Sequence, residues 1–425
     1  MTVEHVPVVV VGGGQAGLSI SWHLTHGGID HIVCERDTVL HEWRDARWDS
    51  FCLVTPNWQC QLPGYPYSGD DPDGFMVADG LNAWLAGYVA SFSPPVREHT
   101  TVTSVRPLQA GDGFCVQTSD PAGQSTIIAG QVVVATGGYH DARIPPLALR
   151  LPAEVVQVHS SAYRSPATLP DGPVLVVGTG QSGAQIAEDL LLAGRQVHLA
   201  VGGAPRFART YRGRDVIAWM HDTGHYARPV TEKPVAERDL DRTNHYVTGR
   251  DGGRDIDLRA FALQGMVLHG HLADITDAAL VFADDLQHNL DAADAVYNGI
   301  NQLIDDWIAA HHITAPPPSR YRPVWRPPAQ PGSRLPAADV AAVIWATGFT
   351  RDYRWLHAST FDGAGHPQHL RGVSPVPGLY FLGLPWLHTW GSGRFAGIAA
   401  DAAHLALALR AVHQHRPGVL STAAS

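Results

Sequence analysis

The chain has 425 residues, 45% of them hydrophobic and 16% charged, with a formal net charge of −10. That length and apolar share suffice for two or three domains with cores of their own. The acidic balance, without a basic run of five or more, excludes nucleic acid and anionic membranes as expected partners.

Lys233 is the only lysine, so Schiff-base chemistry has almost no candidate. Four cysteines (Cys34, Cys52, Cys60, Cys115) form neither a C-x-x-C pair nor a metal-ligand spacing. Free thiols fit a reducing compartment, and a cytoplasmic protein is expected. The apolar run Val6–Val11 is too short for a signal peptide and ends in a glycine turn. No stretch of eighteen apolar residues is present to span a membrane.

In chain order, the first informative stretch is "VVVVGGGQAGLSISWHL" (8–24). A strand at Val6–Val11, buried on both faces, runs into Gly12-x-Gly14-x-x-Gly17 and then a helix over roughly Gln15 to Thr25. Gly12 allows the tight turn, Gly14 lets the backbone approach a pyrophosphate, and Gly17 lets helix and strand pack closely. The helix aims free N–H groups at the phosphates. The next strand, "HIVCE" (31–35), ends in Glu35, eighteen residues past Gly17 and placed to accept hydrogen bonds from an adenosine ribose. By fold analogy, the N-terminal position of this site favours FAD over NAD.

"QVVVATGG" (131–138) and "AAVIWATGF" (341–349) are buried strands that end in Ala-Thr-Gly. Each reads as a place where the chain crosses between two nucleotide-binding domains. Between them, "VLVVGTGQSGAQIAEDL" (174–190) repeats the pattern with Gly178, Gly180 and Gly183. Eighteen residues past Gly183 stands Val201 rather than an acid, and Arg206, Arg209, Arg212 and Arg214 follow. A carboxylate there would repel a 2′-phosphate, whereas arginines pair with one, so the second nucleotide is expected to be NADPH. The competing reading is that these arginines solvate a loop.

The middle of the chain is less regular. A strand at 266–272 is expected to pair with 278–286 as a small hairpin sheet, and helical spacing runs through 292–310. The stretch 314–332 is too proline-rich for a regular helix. Residues 286–338 are read as an insertion that covers the active site, builds a dimer contact or decorates the surface. The histidines of this region show no metal spacing. In 378–409 a strand meets Gly391-x-Gly393 and a small-residue helix, whose N-terminus suits the pyrimidine edge of a flavin.

These motifs as a set resemble the class B flavin-dependent monooxygenases, which include the microsomal flavin monooxygenases, the plant indole-3-pyruvate monooxygenases and the bacterial N-hydroxylases. The resemblance rests on both glycine loops, both ATG strands, "EWRDARWDSFCLVTPNWQCQLPGYPY" (42–67), "VHSSAYRSP" (158–166) and "GLYFLG" with "GSGRFAGIAADA". About half the chain is touched. The segment 158–166 is similar to an H-x-x-x-Y/W fingerprint, although Ala153 and Val155 stand where the family has Phe and Gly. That departure weakens a Baeyer–Villiger assignment.

The resemblance implies an α/β protein with two Rossmann-like dinucleotide-binding domains, the NADPH domain being inserted in the FAD domain. The expected division is 1–160 (FAD, first segment), 161–340 (NADPH, with the helical and proline-rich insertion at 286–338) and 341–425 (FAD, second segment). The implied reaction is hydride transfer from NADPH to FAD, then capture of O2 as a C4a-hydroperoxyflavin that oxygenates a small organic substrate at N, S or activated C. Alternatives are a non-oxygenating FAD/NADPH reductase and a Baeyer–Villiger monooxygenase. The partners expected are the substrate and O2, with a homodimer as a candidate assembly.

Cofactor-binding residues expected on this basis are Gly12, Gly14, Gln15, Ala16, Gly17, Glu35, Arg36, Trp43, Arg44, Ala135, Thr136, Gly137, Gly178, Gly180, Gln181, Ser182, Gly183, Arg206, Arg209, Arg212, Thr347, Gly348, Gly391 and Gly393. Asn57 is the candidate polar side chain near the flavin C4a, with a turn role after Pro56 as the alternative. Gln181 is a second catalytic candidate that equally suits a helix start. His159 and Tyr163 match the fingerprint, with a linker role set against acid–base work. Trp43, Trp48, Trp58, Trp386 and Trp390 suggest an aromatic-lined pocket.

Overall fold

The structure, a computed structural model, describes residues 3–108, 113–233, 245–276, 278–328 and 333–415. Two sheets organise it. In the first, the parallel strands Val96–Arg97, His31–Cys34, Val3–Val11, Gly123–Val134 and Leu379–Phe381 lie side by side. The strands Thr101–Pro107 and Phe114–Asp120 extend it as an antiparallel meander. The register brings Val11 beside Cys34 and Val134, and Val134 beside Phe381, so these carboxyl ends stop at one level. Val8, Val9, Val10, Val132 and Val133 are fully buried. Each contributes about 1.5–3 kcal/mol by leaving water, which explains the absence of polar alternation in these strands.

The second sheet is parallel throughout, in the order Val156–His159, Ala342–Trp345, Val174–Val177, Val197–Ala200, Val267–His269. Its carboxyl ends are again level: Val177 pairs with both Ala200 and Trp345, and Ala200 with His269. Two strands thus lie outside their expected domains. The strands 156–159 and 342–345 belong to the second sheet, so the crossings fall after Val134 and after Trp345 rather than at 160/161 and 340/341. Both crossing segments leave through an Ala-Thr-Gly, as read from the sequence. They then pair with each other, Asp141–Ala142 against Phe349–Thr350.

The expected hairpin is also redrawn. Residues 267–269 complete the second sheet, and 272–276 pairs instead with Ala279–Phe282, which Arg334–Pro336 joins. Gly270 makes the break, because a Cβ there would lie 2.0 Å from the Ala283 carbonyl oxygen. The helix expected over 292–310 starts earlier and spans Leu286–Ala310. Residues 314–328 form no regular helix or strand.

The 286–338 insertion packs on its own domain. Ile304 and Ile308 join Ala208, Tyr211, Val216, Trp219 and Met220 in one buried cluster. Polar cross-ties reinforce this packing. Asp294 of the long helix receives Arg206 Nε at 2.9 Å and Arg259 Nε at 2.9 Å. Arg259 also donates to the Trp325 carbonyl at 2.9 Å, and Arg206 lies 4.0 Å from the Tyr321 ring centroid. Both guanidiniums are at most 2% exposed.

Removing the shared carboxylate would strand two buried cations, which typically costs about 3–5 kcal/mol. Asp294→Ala should therefore lower the denaturant midpoint for the second domain while the first retains its flavin. A denaturant titration followed by tryptophan fluorescence and flavin release checks this, and an unchanged midpoint would mean the cross-tie carries no stability.

Candidate dinucleotide sites

The glycine loops have the same three-part geometry. Gly12 and Gly178 both have positive φ, +109° and +103°, and a Cβ on either would lie 2.7 Å from a carbonyl oxygen of an ATG segment, Ala135 or Ala346. A Cβ on Gly17 would lie 1.9 Å from the Gly12 oxygen, and one on Gly183 would lie 2.0 Å from the Gly178 oxygen. Gly14 and Gly180 face open space, with nothing within 4 Å of an added Cβ. Each of these two caps a twelve-residue helix, Gln15–His26 or Gln181–Leu192, with no side chain on the free N–H groups. The role assigned to each glycine is the one its surroundings impose. Both loops fit a pyrophosphate, which needs close backbone approach and N–H donors.

Around the first loop the expected residues converge. The Glu35 carboxylate accepts from Gly13 N at 2.6 Å and Asp37 N at 3.0 Å, which ties it to the backbone of the first loop. Gln15 joins three distant segments: Trp43 Nε1 donates to its Oε1 at 2.8 Å, and its Nε2 donates to the Gly393 carbonyl at 3.2 Å. Ala16 packs beneath Gly383, where a Cβ would come within 2.6 Å of the Ala16 Cβ. Gly393 in turn lies against the Gly383 carbonyl, and Gly391 against Gly397. Thr136 Oγ1 is buried and has no hydrogen-bond partner, as expected of a group that awaits a ligand. Gly137 and Gly348 both take left-handed conformations, and Thr347 Oγ1 donates to the Arg143 carbonyl.

Other members of the expected set are placed elsewhere. Arg36 is exposed and donates to Asp37. Arg44 is exposed, and it is Arg47 that lies over Trp43, 4.9 Å from the ring centroid. Asn57 opens a 3-10 turn, where its Nδ2 donates to the Asp71 carbonyl at 2.9 Å and its backbone N to the Gly74 carbonyl. These contacts build a turn, and the Asn57 Oδ1 is buried without a hydrogen-bond partner. Gln181 is half-buried at the start of its helix and Ser182 is exposed.

The arginines after the second loop, expected to pair with a 2′-phosphate, each have a carboxylate of the chain beside them. Arg206 pairs with Asp294 at 2.7 Å, Arg209 with Asp215 at 2.5 Å, Arg212 with Asp305 at 2.9 Å, and Arg214 with Asp222. Arg206 and Arg209 are buried beside these acids, Arg212 is half-buried and Arg214 is exposed. Arg209 also donates to the Val54 carbonyl at 2.9 Å, across the domain boundary. These arginines are cross-ties. The loop proper, Val201-Gly202-Gly203-Ala204-Pro205, carries no basic side chain.

Residues missed from the sequence lie between the domains. Asp189, on the second helix, accepts from Ser50 Oγ at 2.6 Å, Arg250 Nη1 at 2.9 Å and Tyr163 OH at 2.8 Å. His159 reaches the Gly348 carbonyl through Nε2 at 3.0 Å. His159 is thus held to the second crossing segment, and Tyr163 to the Asp189 carboxylate within its own domain. Arg394, directly after Gly393, lies 4.2 Å from the Trp390 ring centroid, and Tyr226 stacks on that ring at 4.1 Å. The local signal for Arg394 was present in the spacing of the Gly391-Gly393 motif. The signal for the Asp189 hub was absent, because its partners are 26 to 139 residues away.

Two level sheet ends, each with a glycine loop at a helix N-terminus and each joined to the other through an ATG segment, form the architecture of a dinucleotide-binding oxidoreductase. Residues 9–222 match the model of the pyridine nucleotide-disulphide oxidoreductase family. An uncharacterised CzcO-like oxidoreductase of Geobacillus kaustophilus is 30% identical over 94% of this chain and 97% of its own length. A probable indole-3-pyruvate monooxygenase of Arabidopsis thaliana, YUCCA10, is 32% identical over 43% of this chain and 48% of its own. A variant of the flavin monooxygenase from Stenotrophomonas maltophilia superposes with a TM-score of 0.64 at 20% identity, covering 97% of this chain and 99% of that one. The chain belongs to the pyridine nucleotide-disulphide oxidoreductase family, among its class B flavin monooxygenase-like members.

The two loops should respond differently to a bulky side chain. Gly14→Val fills the open face of the first loop and should give folded protein without flavin. Gly180→Val should leave flavin bound and raise the Michaelis constant for the nicotinamide nucleotide at least tenfold. Absorbance of the purified proteins and steady-state kinetics separate the two. Full flavin content in Gly14→Val would remove the first site from this loop.

Proposed function

We propose that this flavoprotein oxidises NADPH and inserts one atom of O2 into a small organic substrate, at N, S or activated C. The observation that carries this reading is the pair of equivalent loops at level sheet ends, which suits two dinucleotides facing a common cleft. When bound, FAD accepts hydride from the nicotinamide and passes electrons to O2; the chain supplies binding, orientation and exclusion of water. Its own contributions are the loop N–H groups, the Gln15 link between Trp43 and Gly393, and the ties at Asp189 and His159 that hold the domains together. NADPH as the hydride donor rests on the family and not on Arg206, Arg209 or Arg212.

The family's name includes disulphide chemistry, and the cysteines speak against that chemistry here. Cys34, Cys52 and Cys60 are buried and unpaired. Burial pushes their thiols up, to about 12, 11 and 12 respectively. Disulfide exchange needs a thiolate at neutral pH, and these groups remain protonated. Free thiols fit the cytoplasmic location we propose, and no helix among the described residues is long and apolar enough to cross a membrane.

The discriminating experiment uses 18O2. With NADPH and a panel of thioethers, amines and indolic acids, one 18O atom should appear in the product for each NADPH consumed with coupling. NADPH oxidation that yields only hydrogen peroxide, or that requires an added electron acceptor, would favour the non-oxygenating reductase.

A further inference from the structure

Trp58, Trp386 and Trp390 are among the aromatic residues expected to line a pocket, and each meets a side chain of one short segment of the second domain. Tyr226 stacks on Trp390, with ring centroids 4.1 Å apart and planes 24° from parallel. The Lys233 Nζ lies 3.5 Å from the Trp386 ring centroid, and His221 meets Trp58 edge to face at 5.0 Å. Between these contacts the Val230 N donates to the His388 carbonyl at 2.7 Å. The contacts run along residues 221–233, and all of them fall on first-domain residues 58 and 386–390.

Local sequence explains why the segment reaches across. Its root is the helix Val216–Asp222, capped by Asp215, whose carboxylate accepts from Ile217 N. Val216, Trp219 and Met220 of that helix are buried in one cluster with Ile304 and Ile308. Gly224, in a left-handed conformation at φ +72°, turns the chain out of the helix. Two 3-10 turns follow, His225–Ala227 and Val230–Glu232, with Pro229 between them. Among the described residues no β-ladder fastens these turns to the first domain. Side-chain packing and single hydrogen bonds hold them there, an attachment that opens more readily than a strand within a sheet.

The covered residues adjoin the first dinucleotide site. Their loop is tied to the helix of the first glycine loop by Gln15 Nε2, which donates to the Gly393 carbonyl at 3.2 Å. The Trp386 Nε1 is buried without a hydrogen-bond partner, and so are the Asn57 Oδ1 and the Gln59 Oε1 on either side of Trp58. Such atoms mark an interior that a ligand completes.

We infer that residues 221–233 are a strap that seals the first dinucleotide site from water, with the Tyr226–Trp390 stack as its clasp. That the occupant is FAD rests on the function proposed above. With the strap open, water reaches the reduced flavin, and NADPH, O2 and a proton then give NADP+ and hydrogen peroxide in place of oxygenated substrate.

Two variants open the strap by different routes. Tyr226→Ala removes the stack. Val230→Pro removes the N–H that reaches His388, at the first position of a 3-10 turn and after Pro229 at ψ 142°, a setting that accepts proline. Tyr226→Phe keeps the ring and serves as the conservative variant. The FAD-loaded proteins are reduced anaerobically with dithionite and mixed with ferricyanide, a trianion confined to water that takes one electron at a time. Reoxidation should be roughly two- to tenfold faster in Tyr226→Ala, the shift in an opening equilibrium that loss of an aromatic pair produces. Val230→Pro should also be faster, and Tyr226→Phe should keep the unmodified rate. Amide hydrogen exchange within 225–233 should accelerate in the same two variants, and peroxide released per NADPH should rise, with flavin content unchanged. An unmodified ferricyanide rate in both opened variants overturns the inference, whether or not exchange accelerates, because the segment would then lift without exposing the site. So does loss of flavin from either, which would make the segment a clamp on the cofactor rather than a seal. Should Tyr226→Ala lose its fold, Val230→Pro decides. None of these readouts requires an oxygenated product, so a protein that oxygenates nothing overturns the monooxygenase reading and leaves the strap standing.

Discussion

Backbone pressed on backbone at two strand ends is the constraint from which the rest of the molecule follows. The carbonyls of Gly12 and Gly178 occupy the space that a side chain on Gly17 or Gly183 would need, and the ATG carbonyls close on the same glycines from the other side. Only glycine lets a helix begin that close to its strand. The helix N-terminus then faces outward at the level where the neighbouring strands stop, and its unbonded N–H groups are open to an anion. The duplication of this arrangement, down to a 2.7 Å approach in each loop, is what makes the chain a protein of two nucleotides.

The carboxylates explain the second layer of organisation. The chain is acidic, yet many of its acids are spent inside on arginines rather than displayed. Asp294 holds Arg206 and Arg259, Glu188 holds Arg254, and Asp189 holds Arg250 together with Ser50 and Tyr163. Burial raises the Glu188 carboxyl, and the attraction of Arg254 works against that rise, so the pair exists on the balance of desolvation and attraction. Such pairs add little net stability compared with apolar packing. Their hydrogen bonds are directional, however, and they specify one arrangement of helix, loop and insertion where an oily interface would tolerate several.

The parts of this organisation legible in the sequence were those written locally. Glycine spacing, β-branched runs and the position of Glu35 are properties of fewer than forty consecutive residues, and the structure places each where the pattern implied. The four arginines after Val201 were equally conspicuous, but the carboxylates beside them were not, because a side chain's partner is not a local property: Arg206 and Asp294 are 88 residues apart. The strand expected at 266–272 failed for a related reason. Its apolar pattern runs through Gly270, but the Ala283 carbonyl, supplied from outside the window, divides it between two sheets. Arg47 and Arg44 show the same limit at its smallest, since both follow Trp43 and only the packing of Phe51 distinguishes them.

Bringing two nucleotides to one cleft imposes a demand on the linkers that the glycine loops cannot meet. Hydride transfer needs reacting atoms about 3–3.5 Å apart, so the sheets must keep their relative orientation to a fraction of that distance. The crossing segments alone offer a ladder of two residues, Asp141–Ala142 on Phe349–Thr350. Such a ladder would act as a hinge. Three polar ties act on it: His159 to Gly348 beside the ladder, Arg209 to Val54 across the boundary, and the Asp189 hub, which links the helix of the second loop to Ser50 of the first domain. The same helix presents Gly180 at its N-terminus and Asp189 two turns further on. The helix that carries the second glycine loop is therefore also bolted to the first domain, and any shift of that helix moves the loop with it.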